Sequence, residues 1–129
     1  MTLNYSDKIA IHSTLLGKLL QNLDEQSLGS VSNMLADAST QKFFADSELL
    51  ATVEAFFKNN LNITKASKAA SLHRNTFIYR LEKIEKMIGL DIRNFEDALT
   101  LEILIILKKL EQKRKRRTHK LERLQNRVL

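Results

Sequence analysis

Apolar residues recur at steps of three and four along most of the chain, as they do on the buried face of an α-helix. The pattern predicts, in chain order, a helix over 7–23, a helix over 26–38 and a connection over 39–46. A third helix is expected next, with Asp46 or Ser47 as its N-cap, because either side chain accepts hydrogen bonds from free helical N–H groups. Asn59-Asn60 suits its end, since asparagine tolerates the left-handed conformation that closes helices.

The middle of the chain predicts a short helix, a tight turn and a longer helix. The short helix is expected over 64–70 with Thr64 as its N-cap, followed by the turn Ser71-Leu72-His73. The longer helix runs to Ile88 and stops at Gly89, which adopts a positive φ without strain.

The last helix is expected to begin after Asn94 and to continue into the C-terminal tail. Its apolar residues between Leu99 and Leu110 lie nearly all the way round, so we expect burial on several sides. A second subunit is a natural source of part of that burial. The predicted fold is therefore an all-α helical bundle that contains a helix-turn-helix and forms a homodimer.

Composition narrows the class of protein. Cysteine and proline are absent and glycine occurs three times, which excludes disulfides and disfavours strands and hairpins. The three histidines lie far apart in sequence, so neither a metal site nor another cofactor is predicted. No apolar run is long enough to span a bilayer, and the N-terminus lacks a signal-peptide pattern. The sequence predicts a cytoplasmic protein with no membrane association and no small-molecule ligand.

The formal net charge of +6 is unevenly distributed. Residues 1–57 contain three basic and seven acidic groups, whereas residues 58–93 contain eight basic and three acidic groups. Residues 111–129 are again basic, with eight basic groups against two acidic ones. Two basic blocks indicate either a polyanionic partner or a solubilising surface.

A short helix, a tight turn and a longer helix form the helix-turn-helix pattern, whose second helix enters the major groove of DNA. Phe77, Leu81 and Ile84 share the apolar face of that helix, so its opposite face is polar. Arginine grips guanine in a fork and asparagine pairs with adenine. The predicted DNA-binding residues are Lys65, His73, Arg74, Asn75, Thr76, Tyr79, Arg80 and Lys83.

The stretch from Asp46 to Leu110 resembles the C-terminal helix-turn-helix domain of the PucR/CdaR family, regulators of purine and sugar-diacid use. The resemblance is carried by Leu72-His73-Arg74-Asn75-Thr76, Tyr79-Arg80-Leu81, Ile84, Gly89-Leu90-Asp91 and Asn94-Phe95-Glu96-Asp97. The turn is also similar to that of Fis-type nucleoid proteins. That similarity implies that five positions face DNA, namely His73, Arg74, Thr76, Tyr79 and Arg80.

The resemblance divides the chain into three parts: an N-terminal helical extension over 1–45 for dimerisation, a DNA-binding domain over 46–110 and a basic tail over 111–129. Family members usually carry a large effector-sensing region before the matching domain and end near Leu110. The chain therefore looks like a stand-alone, truncated or excised output domain, and ligand sensing is not carried over to it.

Several residues have a structural interpretation beside the functional one. Arg74 can pair with Glu85, Arg80 can form an internal ion pair and Tyr79 can be a half-buried packing residue. His73 can simply bond the backbone of the turn. The run Lys113–Arg117 is either a solvated helix end or an arm on the DNA backbone.

The predicted function is a DNA-binding transcriptional regulator that reads an operator on double-stranded DNA through the helix over 73–88. The first alternative is a nucleoid or architectural protein of the Fis-like type, which binds DNA broadly. The second is a protein-interaction adaptor that kept the fold. No nucleophile–base pair or glycine-rich phosphate loop is present, so an enzyme is not predicted.

Overall fold

The computed structural model describes residues 15, 18, 19 and 22–128, and every regular element among them is an α-helix. The helices are α1 (Glu25–Ala36), α2 (Ala38–Ala45), α3 (Ser47–Lys58), α4 (Ile63–Ala69), α5 (Arg74–Ile88) and α6 (Phe95–Val128). Most of the helix predicted over 7–23 lies outside the described residues; Leu15, Lys18 and Leu19 are helical, whereas Asn22 and Leu23 are not. None of the described helices combines the length and the apolar character that crossing a bilayer requires.

Gly29–Leu101 form one compact unit, and the described residues on either side of it belong to a second. In the first unit, α5 contacts α2, α3 and α4. Its buried apolar side chains are Leu35, Phe43, Leu49, Val53, Phe56, Ala66, Phe77, Leu81, Ile84, Ile92, Ala98 and Leu101. Helix α5 is therefore the element around which the other helices of this unit are arranged.

The connection predicted over 39–46 is wrong, because these residues lie mostly in helix α2. The Asp37 side chain caps the helix and accepts hydrogen bonds from the N–H groups of Ser39 at 3.1 Å and Thr40 at 3.3 Å. Phe43 is fully buried and anchors the helix in the core. The same cap ends the preceding helix at Ala36, short of the predicted Ala38.

Helix α3 begins where the sequence predicts. The Asp46 carboxylate accepts hydrogen bonds from the N–H groups of Glu48 and Leu49, both at 3.1 Å. Leu49, Val53 and Phe56 form its buried face, while Leu50 and Phe57 are half-buried.

The end of α3 is as predicted, because Asn60 is left-handed, but the start of α4 differs from the prediction. Asn60 and Leu61 both adopt a positive φ, at 55° and 61°. The N-cap of α4 is Asn62, which accepts a hydrogen bond from the Lys65 N–H at 2.9 Å, and not Thr64. Helix α4 therefore begins at Ile63, one residue before the predicted start.

The turn predicted over 71–73 and the end of α5 are confirmed. Ser71 has a φ of 55°, and the Leu72 N–H donates to the Ser67 carbonyl at 2.9 Å. Gly89 closes α5 with a φ of 74°. Phe77 is fully buried, and its ring lies 5.9 Å from that of Phe56.

Helix α6 starts after Asn94, as predicted, and continues through the basic tail to Val128. Asn94 and Asp97 cap its start, because the Asn94 Oδ1 accepts from the Asp97 N–H at 2.9 Å. The expected burial on several sides is only partial. Ala98, Leu101, Leu104 and Leu107 are buried, Ile103, Ile105 and Ile106 are half-buried, and Leu99 is exposed.

The positive φ of Ser71 leads to a stability prediction, because an L-residue in this conformation is strained by about 1–2 kcal/mol. Ser71 is exposed, so a substitution there changes few packing contacts. We expect Ser71→Gly to leave the free energy of unfolding unchanged or to raise it by up to about 1 kcal/mol, after the entropic cost of glycine. Ser71→Val should lower it by about 1–2 kcal/mol, since a β-branched residue fits this region poorly.

Urea denaturation followed by circular dichroism measures both effects. Thr64→Val is the matched control, because Thr64 is exposed but lies in a regular helix. It should change stability by no more than about 0.5 kcal/mol. A Ser71→Val protein as stable as the Thr64→Val protein would show that the turn is not strained.

Candidate nucleic-acid interface

The outward face of the helix-turn-helix is built from α4, the turn and the first turns of α5. Burial of Phe77, Leu81 and Ile84 directs the opposite side of α5 away from the core. All but one of the predicted DNA-binding side chains are exposed: Lys65, His73, Arg74, Asn75, Thr76, Tyr79 and Lys83. The structure thus places these side chains on one accessible surface, and their contacts with DNA remain predictions.

His73 is the N-cap of α5. Its Nδ1 accepts a hydrogen bond from the Asn75 N–H at 3.1 Å, so the neutral ring carries its hydrogen on Nε2. That outer N–H remains exposed together with the rest of the ring. His73 therefore has the backbone-bonding role that the sequence allowed, and it also presents a donor to the surface.

Arg74 begins α5 and is exposed. Glu85, the partner that the sequence allowed for it, instead binds Arg93, with 3.3 Å between Oε2 and Nη2. Among residues 22–128, no side chain forms an ion pair with Arg74. The guanidinium of Arg74 therefore keeps its five donors available.

Arg93 links the segment that follows α5 to the helix itself. Its Nε donates to Asp91 Oδ1 at 2.7 Å, and its Nη2 reaches Glu85. The hydrogen bond from Arg93 holds the pKa of the Asp91 carboxyl below its usual value. These contacts pair Glu85 of α5 and Asp91 of the following segment with the same arginine.

Arg80 is the exception among the predicted contacts. Its side chain is only 21% exposed, and its Nη2 lies 3.6 Å from Glu48 Oε2 at the start of α3. The structure thus gives Arg80 the internal ion pair that the sequence left open. A phosphate contact would have to compete with this carboxylate.

Tyr79 lies one turn beyond the start of α5, and the residue is 63% exposed. It is therefore not the half-buried packing residue that the sequence also allowed. Lys83 follows one turn later, and Lys65 stands on α4 with its side chain exposed. These three side chains are therefore accessible, as are those of Arg74 and Asn75.

Two features of this surface were not anticipated from the sequence. Asn62 caps α4, and the asparagine itself is the signal that was missed, because asparagine is among the preferred N-cap residues. The positive φ of Ser71 gives no signal in the sequence, since serine is not a residue that favours it.

Comparison with protein families agrees with this geometry. Residues 49–107 match the family described as the PucR C-terminal helix-turn-helix domain. The chain carries a PucR C-terminal helix-turn-helix domain. The match begins within α3 and ends within α6, so this PucR domain includes the whole candidate surface.

Curated relatives of this chain are much longer than it is. The purine catabolism regulatory protein of Bacillus subtilis (strain 168) is 28% identical over 99 residues, 77% of this chain and 19% of that protein. The carbohydrate diacid regulator of Escherichia coli (strain K12) is 43% identical over 56 residues, 43% of this chain and 14% of that protein. The uncharacterized protein YxkF of Bacillus subtilis (strain 168) is 36% identical over 66 residues.

The YxkF match covers 51% of this chain and 22% of that protein. The chain therefore spans less than a quarter of the length of each of these three relatives. No solved structure matches the chain. The resemblance stated from the residues around the turn is confirmed at the level of the PucR domain.

The cap at His73 gives a prediction that separates stability from recognition. His73→Ala removes the acceptor for the Asn75 N–H and should lower the free energy of unfolding by about 0.5–2 kcal/mol. His73→Asn keeps an acceptor at the N-cap and should stay within about 0.5 kcal/mol of the wild type. Thermal denaturation followed by circular dichroism measures both.

In a duplex-binding assay, the same two variants show whether Nε2 of His73 contacts DNA. A decrease in affinity common to both variants indicates a direct contact by the imidazole, whereas a decrease confined to His73→Ala indicates the cap alone. Equal stability of all three proteins would contradict the capping role.

Proposed function

We propose that this chain is a DNA-binding transcriptional regulator, in which α5 enters the major groove of operator DNA. The observation that carries the proposal is the exposed, polar start of α5 within a PucR C-terminal helix-turn-helix domain. In this motif the N-terminal residues of the second helix meet the edges of the bases. The buried stripe of α5 supports the same orientation.

Arg74 and Asn75 are the base-reading residues of the proposal. Both are exposed, and the guanidinium of Arg74 forms no ion pair within residues 22–128. A free guanidinium binds O6 and N7 of guanine in a fork, and an asparagine amide pairs in the same way with adenine. Thr76 lies beside them and contributes a hydroxyl and a methyl group.

Phosphate contacts are assigned to the candidate residues other than Arg74, Asn75 and Thr76. Lys65, Tyr79 and Lys83 carry exposed donors, and such contacts fix the register of the protein on DNA without selecting a base. His73 adds its Nε2–H. Arg80 acts mainly by joining α5 to Glu48 at the start of α3, since its guanidinium is already paired there.

A dimer is part of the proposal. Helix-turn-helix dimers read two half-sites about 34–36 Å apart, so two copies of α5 must be held at that separation. The candidate dimer surfaces are the extension over 1–45 and α6, where Leu99 remains exposed. Such a regulator acts in the cytoplasm of a bacterium, and the proposal assigns it neither a catalytic step nor a small-molecule ligand.

Selection of bound sequences from a random duplex library tests the proposal. The full chain should enrich a defined motif and bind it about 10³-fold more tightly than random duplex at the same salt concentration. Near-equal affinities would instead favour an architectural protein of the Fis-like type. Absence of duplex binding at low salt would favour a protein-interaction adaptor.

The role of Arg74 is tested on the selected duplex. Arg74→Ala should weaken binding by about 1–3 kcal/mol and relax the preference at one position of the motif. Lys86→Ala is the matched control, because it removes one exposed positive charge from the last turn of the same helix. An equal effect of the two variants, measured by gel shift, would show that only net charge matters.

A further inference from the structure

The basic residues in the C-terminal half of α6 recur at regular intervals. Between Lys109 and Arg127 there are nine basic residues and two acidic ones, and the segment is helical throughout. Six of the basic residues follow each other at steps of four and three. They are Lys109, Lys113, Arg116, Lys120, Arg123 and Arg127, and we call them the basic stripe.

The basic stripe occupies one side of the helix. With 3.6 residues per turn, its six side chains fall within an arc of about 80° and extend over about 27 Å. All six are exposed. The acidic groups are elsewhere on the helix, because Glu111 pairs with Lys115 at 3.0 Å and Glu122 lies 3.8 Å from His119. Within residues 22–128, no member of the stripe has an ion-pair partner.

An uncompensated row of cations is costly to a helix standing alone in water, since like charges at steps of four repel. An extended polyanion removes that repulsion and releases its own bound counterions. The geometry points to the basic stripe as a second DNA-binding element, which holds the phosphates of duplex DNA independently of sequence. The choice of DNA as the polyanion depends on the proposed function.

The adjoining side of the helix argues against other partners. Leu110, Leu121 and Leu124 lie there, and the last two are exposed. Arg114 and Arg117 fall between them on the same side, so the apolar surface is interrupted at its middle. A membrane surface needs a continuous apolar face, and a parallel second copy of this C-terminal segment would bring identical arginines together.

Two matched triple variants of the full chain test the inference. R116Q/K120Q/R123Q removes three charges from the basic stripe, and R114Q/K115Q/R117Q removes the same three charges, two arginines and one lysine, from other sides of the helix. Fluorescence anisotropy measures the affinity of each for a random-sequence duplex over a range of salt concentrations. Circular dichroism checks that both remain helical.

The slope of log affinity against log salt changes by about 0.9 for each phosphate that the protein neutralises, so the stripe variant should have a slope shallower by about 2.7. The slope of the control variant should differ from that of the wild type by less than about 0.9, which corresponds to one phosphate. Unchanged slopes, or equal changes in the two variants, would overturn the inference. So would tighter binding of the wild-type chain to phosphatidylserine vesicles than to duplex at the same salt, abolished in the stripe variant.

A readout of sequence preference keeps this inference separate from the proposed function. The stripe variant should bind selected and random duplexes more weakly by the same factor, so that the ratio of the two affinities is unchanged. If no motif is enriched in the selection but the stripe variant still shows the shallower salt slope, the regulator proposal fails and the stripe stands. If a motif is enriched but the salt slope of the stripe variant is unchanged, the regulator proposal stands and the inference about the basic stripe fails.

Discussion

Packing of the apolar side of α5 is the interaction on which the rest of this protein depends. Phe77, Leu81 and Ile84 are almost fully buried, and their helix contacts α2, α3 and α4. Burial of each such side chain contributes about 1.5–3 kcal/mol. Since residues on a helix are separated by a fixed angle, this burial also determines where Asn75 and Tyr79 point. The orientation of the candidate interface is a consequence of the core and does not need interactions among its polar residues.

The junctions between helices determine where along α5 the candidate interface begins. The cap at His73 sets the residue at which the helix begins, and the left-handed Ser71 turns the chain sharply enough for α4 to contact α5. Gly89 closes the helix in the same conformation. A cap one residue later would leave Arg74 outside the regular helix, while the buried side chains would keep the rest of α5 in the same orientation. Local backbone chemistry thus selects which side chains lie at the exposed start of α5.

Periodicity in the sequence predicted α3 and α5, because each has several turns and a clear apolar stripe. The length of the apolar segment predicted α6, although its apolar residues lie nearly all the way round. It failed for α2, an eight-residue helix whose adjacent Phe43 and Phe44 do not show a helical repeat. The exposed set of candidate residues followed from the same periodicity. The pairing of Arg80 with Glu48 did not, because it joins residues 32 positions apart in different helices. Contacts of that kind depend on how helices pack, which a single sequence does not display.

Some charged side chains of this domain are paired with one another, and others have no ion-pair partner among the described residues. Glu48 in α3 and Glu85 in α5 are paired with Arg80 and Arg93, so each of these two carboxylates has a cation beside it. Exposed pairs of this kind contribute at most about 1 kcal/mol to stability. Their larger effect is electrostatic, because two uncompensated carboxylates would lower the positive potential around this domain. Arg74 forms no ion pair within residues 22–128, so its positive charge is not cancelled there by a carboxylate.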